Sequence, residues 1–275
     1  MPIKVVFVPL ADSEGAQSII GAAMGVAASL GAEVDVAHLG GDPTRALGDL
    51  VGEAVSPQLI EEVLAQSEKR AKTSAQASRK AYDAAAAKAK GVKSRYQEIQ
   101  AAVDVAIEDR GRFADLIVVR RASSARDVGV RVVAEVALMS TARPVLVVPS
   151  KASASIGSNV AIAWNDSLES SKAVAAALPF ITRAAKVTVI SATDGGAINQ
   201  KSILAYLARH GVKAKGVSVK AGADAGKAIT AAASKAGANL LVMGAYSHSR
   251  VRELIFGGVT EHALASARLP VLMVH

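Results

Sequence analysis

The chain reads as an α/β protein built twice, as two doubly wound, mostly parallel five-stranded sheets with helices on both faces. Three observations predict this. Short apolar runs alternate with stretches of helical periodicity from Ile3 to the end, the pattern of buried parallel strands and their crossover helices. The composition is 51% hydrophobic but only 3% aromatic, so the core must be Ala, Val, Leu and Ile, which suits helices packed closely on such a sheet. The chain also repeats itself. Asp115-Leu-Ile-Val-Val119 followed by Ser140-Thr-Ala-Arg-Pro-Val-Leu-Val-Val148 echoes Asn239-Leu-Leu-Val-Met243 followed by Ser266-Ala-Arg-Leu-Pro-Val-Leu-Met-Val274. That interval means two copies of one domain rather than a solenoid, at 1–150 and 157–275, and 275 residues is a natural length for two small α/β domains.

Ile3 to Val8 is an apolar strand, and Pro9 to Glu14 is a loop with Asp12 or Ser13 available as N-cap. Ile19, Ile20, Ala23, Met24 and Ala27 recur at helical spacing, so Glu14 to Leu30 is a helix with one buried face, ended by Gly31. Glu33 to Leu39 is the second strand, and Gly40 to Gly52 is a loop. Ser56 as N-cap and Pro57 at the first helical position start a long helical insertion, about 56–90. Between Lys69 and Arg95 it carries nine basic residues against one acidic, Asp83. Such a run is either a basic arm for an anionic partner or a solvated helix face.

A strand near Val92 to Gln97, a helix near Ile99 to Arg112, the strand Asp115 to Val119, another helix and the strand Pro144 to Val148 complete the first copy. A Ser/Ala linker spans 150–158. The second copy opens with the strand Asn159 to Trp164 and a helix start in which Asp166 and Glu169 have capping-box spacing. Pro179 interrupts the stripe Val174, Ala177, Leu178 and Ile181 and should kink that helix. Strand Lys186 to Ser191, helix Ile198 to His210, strand Val212 to Val219 and helix Ala223 to Gly237 follow. The strand Asn239 to Met243, helix Glu261 to Arg268 and strand Pro270 to Val274 close the chain.

The stretch with chemistry lies after Met243: Gly244, Ala245, Tyr246, Ser247, nine residues, then Gly257, Gly258, Val259 and Thr260. A buried strand that leaves through Gly and small residues into a helix presents backbone N–H groups and a positive helix end, which is anion-binding geometry. Ser247, Ser249, Arg250 and Arg252 add donors and charge. The plainer account is a turn and a tight helix contact.

These residues resemble the universal stress proteins, whose nucleotide-binding members carry Gly, two residues, Gly, nine residues, Gly, then Ser or Thr. Gly244, the spacer and Gly257 match, while Ser247 replaces the second Gly and Gly258 the Ser or Thr. The resemblance implies a Rossmann-like fold of the adenine-nucleotide alpha hydrolase kind, with an ATP pocket in the second copy only and Mg with the nucleotide. Its walls would be Ala163, Trp164, Asn165, Ala192, Met243, Gly244, Tyr246 and Ser247, with Gly257, Gly258, Val259 and Thr260 around the phosphates. Asn165 stands where the family has Asp. In the first copy Arg120 replaces Gly244, Ser123 falls opposite Ser247, and Val133-Ala134 falls near Gly257-Gly258, so that copy is degenerate. The family pairs domains through their last strands, which implies an intramolecular pseudo-dimer of Pro144–Val148 with Pro270–Val274, or a homodimer.

Several classes are disfavoured. The chain has no Cys, which excludes disulfides and a thiol nucleophile and fits a reducing compartment. Met1 to Leu10 reads as a strand rather than a signal peptide, and no apolar run reaches a membrane-spanning length, so a cytoplasmic protein without a membrane partner is expected. A net charge of +8 without aromatic interleaving does not predict specific nucleic-acid binding. No Walker loop, His-Glu-x-x-His or Gly-x-Ser-x-Gly occurs, and His38, His210, His248, His262 and His275 are dispersed, so no catalytic residue and no metal site is predicted. The expected function is a non-enzymatic stress-response protein binding an adenine nucleotide. The alternatives are a protein-interaction scaffold whose contacts include Lys69, Arg70, Lys72, Arg79 and Lys80, and, last, an adenylate-using enzyme.

Overall fold

A computed structural model describes residues 2–40, 56–124, 127–150, 155–195, 198–245 and 258–275. Ten strands and eight helices alternate along them: β1 (Val5–Leu10), α1 (Ala16–Leu30), β2 (Glu33–Leu39), α2 (Pro57–Lys88), β3 (Ser94–Ile99), α3 (Val103–Gly111), β4 (Leu116–Arg120), α4 (Val128–Ser140) and β5 (Val145–Val148). The second series is β6 (Asn159–Ala163), α5 (Leu168–Ile181), β7 (Lys186–Thr193), α6 (Lys201–Arg209), β8 (Ala214–Lys220), α7 (Ala225–Lys235), β9 (Leu240–Gly244), α8 (Gly258–Ser266) and β10 (Val271–Val274).

The two expected sheets are one. The strand order is β3-β2-β1-β4-β5-β10-β9-β6-β7-β8, a ten-stranded sheet in which each half has the order 3-2-1-4-5. All pairs are parallel except the seam, where β10 lies antiparallel to β5 with Leu272 opposite Leu146. The sequence expectation placed these strands together. What it missed is that the pairing makes the two sheets continuous, because two apolar edges side by side leave no free ladder groups.

Alternation then sorts the side chains to two faces. Val6, Val8, Val118, Val160, Ile162, Leu240 and Val242 meet α1, α5 and α6 in one buried cluster, and Phe7, Ile117, Val119, Ala161, Leu241 and Met243 meet α3, α4, α7 and α8 in another. Both clusters draw on both halves. Ala16, Ala22, Ala23 and Ala27 of α1 and Ala173 and Ala177 of α5 are buried, so the helices approach closely.

Helix starts differ from expectation for local reasons. Gly15, with φ +66, precedes α1, because the Asp12 side chain is drawn instead to the Glu14 amide and to Arg120. Ser167 and Ser170 form the capping box of α5 in place of Asp166 and Glu169, and Asp166 takes a left-handed conformation. β3 runs on to Ile99, so α3 starts later than expected, at Val103. Pro179 lies within α5, which ends two residues later at Ile181. Ser56 caps α2 as expected. The 32 residues of that helix span about 48 Å, yet only Ala75, Ser78 and Ala85 are buried. Among the described residues no helix is long and apolar enough to cross a membrane.

Candidate functional site

In each half the chain turns to opposite sides of the sheet after the two central strands, β1 and β4 in the first, β6 and β9 in the second. The crevice at the carboxyl ends of such a pair is where open α/β sheets place ligands.

In the second half, Trp164 continues the ladder by donating its amide to Ile190 at 2.8 Å, and Ser191 Oγ donates to the Trp164 carbonyl at 2.8 Å. Gln200 Nε2 donates to Ser191 Oγ at 2.9 Å and to the Val217 carbonyl at 3.1 Å, tying β7 and β8 to the start of α6. Trp164 is buried at 6% exposure, and among the described residues its Nε1 has no acceptor. An unsatisfied buried donor costs about 1–3 kcal/mol. Asn165 is exposed and its Oδ1 accepts from the Ser167 amide at 3.3 Å.

The anticipated pocket residues fall on two sides of the sheet. Trp164 lies in the cluster under α5 and α6, while Ala163, Met243, Ala192 and Val259 belong with α7 and α8. Thr260 is buried and Gly258 exposed. Tyr246, Ser247 and Gly257, like Ser249, Arg250 and Arg252, lie outside the described residues. Gly244 has a structural reason for being Gly: a Cβ there would sit 2.6 Å from the Glu169 carbonyl carbon and 2.7 Å from the Ser170 amide. The first turn of α5 therefore requires a residue without a Cβ there. Gly258, expected to admit a close backbone approach, has nothing within 4 Å of its Cβ position among the described residues.

At the first switch point the roles are exchanged. Arg120, 7% exposed, points from the end of β4 at the start of α1, where a Cβ on Gly15 would lie 2.9 Å from its Cδ. Its guanidinium reaches Asp12 at 3.2 Å, Asp127 at 3.4 Å and Glu14 at 3.5 Å. Ser123 donates Oγ and its amide to Asp127, at 2.6 and 2.7 Å, and these bonds, with Arg120 as a smaller cause, hold the Asp127 carboxyl below its usual range. Val133 and Ala134 are buried in α4. The crevice is filled by the protein's own cation and three carboxylates.

Two clusters escaped the sequence. His262 of α8 lies 3.6 Å from Asp224 and 3.2 Å from the Thr230 hydroxyl on α7, residues more than thirty positions away in the chain. Thr230 already donates to the Gly226 carbonyl at 2.9 Å, so the arrangement joins two helices rather than activating a nucleophile. A second cluster lines a cavity where α4 meets α8. Neither has a sequence signal, since each is made by helix packing. His38 is buried, which lowers its pKa, and His248 lies outside the described residues. Among the described residues no group of three or more His, Asp or Glu is placed to hold a metal ion.

Residues 184–275 match the model of the universal stress protein family. The fold of the whole chain is similar to that of a universal stress protein from Archaeoglobus fulgidus DSM 4304, at TM-score 0.70 and 17% identity, over 98% of this chain and 95% of that one. It is also similar to a Pseudomonas aeruginosa UCBPP-PA14 structure named for the same family, at TM-score 0.53 and 15% identity, over 99% and 93%. The cytoplasmic domain of a prokaryotic cation chloride cotransporter matches at TM-score 0.50 and 13% identity, over 98% and 95%. At these identities the likeness is one of fold. No curated protein matches the chain.

Proposed function

We propose that this chain, whose residues 184–275 match the model of the universal stress protein family, is a non-catalytic stress-response protein that holds an adenine nucleotide at the carboxyl ends of β6, β7 and β9. The supporting observation is the contrast between the two switch points. Arg120 and three carboxylates fill the first, whereas at the second Asn165 is exposed and Gly258, at the start of α8, has no neighbour within 4 Å of its Cβ position among the described residues. Phosphates would meet the amino end of α8, the base would lie toward Ala192, and Asn165 would offer an uncharged amide to the ribose. ATP would bring Mg²⁺ on its own phosphates. The division into halves at 1–150 and 157–275 is part of the same reading.

Calorimetric titration with ATP and Mg²⁺ tests it. Gly244→Arg is unsuitable as a blocking variant because its Cβ would strike α5. Gly258→Glu adds a negative charge where no described residue lies within 4 Å of the Cβ position, and is expected to weaken ATP at least tenfold without unfolding the protein. Trp164 is the chain's one Trp, and its emission should change with ATP. Neither heat nor emission change with ATP, nor a rise in melting temperature, would leave the reading without support.

One observation favours a second reading, a protein-interaction scaffold. α2 stands where the second half has the nine-residue α6, and its Lys69, Arg70, Lys72 and Lys80 are exposed. Arg79 is engaged with Asp83 and the faces of Tyr82 and Tyr96, so charge reversal of the other four, leaving Arg79, is the cleaner probe. Loss of a partner in that variant together with indifference to ATP would favour the scaffold.

A further inference from the structure

The two edges of the sheet carry cations at the same positions and surround them differently. β7 stands to β8 as β2 stands to β3, with Val187 opposite Ala214 as Val34 is opposite Ser94. At the first edge Lys93 lies 3.2 Å from Glu33, and Arg95 Nε donates to Asp35 at 2.6 Å. In the second half the same register sets Lys213 and Lys215 beside Lys186 and Thr188. The cations are present at both edges, but at the second one carboxylate position holds another cation and the other a hydroxyl.

The contrast extends over that whole end of the molecule. From Arg183 to Lys235, the stretch that forms β7, α6, β8 and α7, nine basic residues stand against Asp194 and Asp224, which places seven of the chain's net charge of +8 here. All nine are exposed, and among the described residues none of them forms an ion pair. Asp224 is engaged by His262 and by the Lys227 amide. β8 also ends the sheet, with β7 on one side and no strand on the other among the described residues. Ala221 donates its amide to Thr193 on the β7 side, so alternation turns the amides of Gly216 and Ser218 outward.

We propose that the β8 edge is a docking surface for an acidic, extended segment of another protein, which adds as a further strand beside β8 and sets its carboxylates against Lys213 and Lys215. Main-chain hydrogen bonds hold such a strand, and its alternate side chains select it. Lysines on an edge strand also repel unwanted strands, and a second copy of this chain is refused for that reason, since β8 against β8 would oppose like charges. A segment of opposite charge meets no such barrier. Single-stranded nucleic acid fits less well because it needs rings to stack on, and Tyr206, the one Phe, Tyr or Trp in the stretch, already packs against His210 with centres 4.7 Å apart. Lys213 and Lys215 lie toward the amino end of β8, away from the carboxyl ends of β6, β7 and β9, so this surface is separate from the nucleotide reading.

The probe is a fluorescein-labelled peptide of alternating Glu and Thr as long as β8, followed by anisotropy with the full-length protein and compared with the same peptide carrying Gln for Glu. The acidic peptide is expected to bind at least tenfold more tightly and to slow amide exchange at Gly216 and Ser218. Lys213→Gln together with Lys215→Gln should weaken it about tenfold. Lys186→Glu, which gives this edge the carboxylate that Glu33 supplies at the other, should weaken it at least threefold. All three side chains are exposed, so the fold should stand. Lys93→Gln at the other edge should leave binding unchanged. Strand addition uses one side of the incoming backbone, so of two peptides N-methylated at alternate amides in opposite phase, one should lose binding and the other keep it. No preference for the acidic peptide, equal binding of the two phases, no protection at Gly216 and Ser218, or unchanged binding in the double variant would overturn the proposal. So would a duplex DNA oligonucleotide that binds more tightly than the peptide and depends on the same two lysines, which would make the edge a nucleic-acid surface.

Discussion

Gly244 and Arg120 occupy equivalent strand ends, and each is matched by the helix that faces it. Where the strand carries a long side chain, the helix start is Gly15. Where the strand is bare, the backbone of Glu169 and Ser170 comes within contact distance. Close packing of this kind tolerates no added methyl without displacement. Gly244→Ala is therefore expected to destabilise the fold by about 1–3 kcal/mol, whereas Gly258→Ala, with no described residue within 4 Å of its Cβ position, should stay within about 0.5 kcal/mol of wild type. Urea midpoints at unchanged slope would read both. A neutral Gly244→Ala would mean that α5 does not bear on β9 as described.

At the scale of one element, α2 is fastened by its second half. Tyr82 and Tyr96 lie 5.4 Å apart, centre to centre, with the Arg79 guanidinium 5.3 Å from the Tyr96 ring. The Tyr96 hydroxyl donates to the Ala75 carbonyl at 3.2 Å, and Tyr82 and Ser94 share a hydrogen bond at 3.0 Å. Burial, with the nearby Glu98 carboxylate second, pushes the Tyr96 phenol up to about 12. The folded state thus keeps a proton that the unfolded chain releases near pH 10. The contribution is fully present below about pH 10 and is lost as pH rises toward 12. Alkaline titration of phenolate absorbance should show a late step near pH 12, and Tyr96→Phe should remove that step and flatten the loss of stability. A wild-type curve without it would place Tyr96 in water.

For the whole molecule, the seam decides whether the halves behave as one. Leu146 and Leu272, both fully buried, face each other across it, and the two hydrophobic clusters run through both halves. Unfolding should accordingly be one cooperative transition. Trp164 reports on the second half alone and far-ultraviolet circular dichroism on both, so their urea curves are expected to coincide. Separated curves would show that the halves are joined without being coupled.

The sequence by itself determined what periodicity can encode: the alternation of strand and helix, the repeat, and the long helix from Ser56 and Pro57, while the pairing of Pro144–Val148 with Pro270–Val274 came from the family resemblance. The first three are local patterns or self-similarity, and they survive whatever the neighbours do. Only the tertiary structure decided that the sheet is continuous, that Gly244 answers to α5, that Asp12 serves Arg120 rather than a helix cap, and that Arg121, Arg131 and Glu261 share a cavity. Each of these joins residues far apart in the chain. A side chain with a local role on offer takes the distant one when burying a charge or closing a packed contact is worth more.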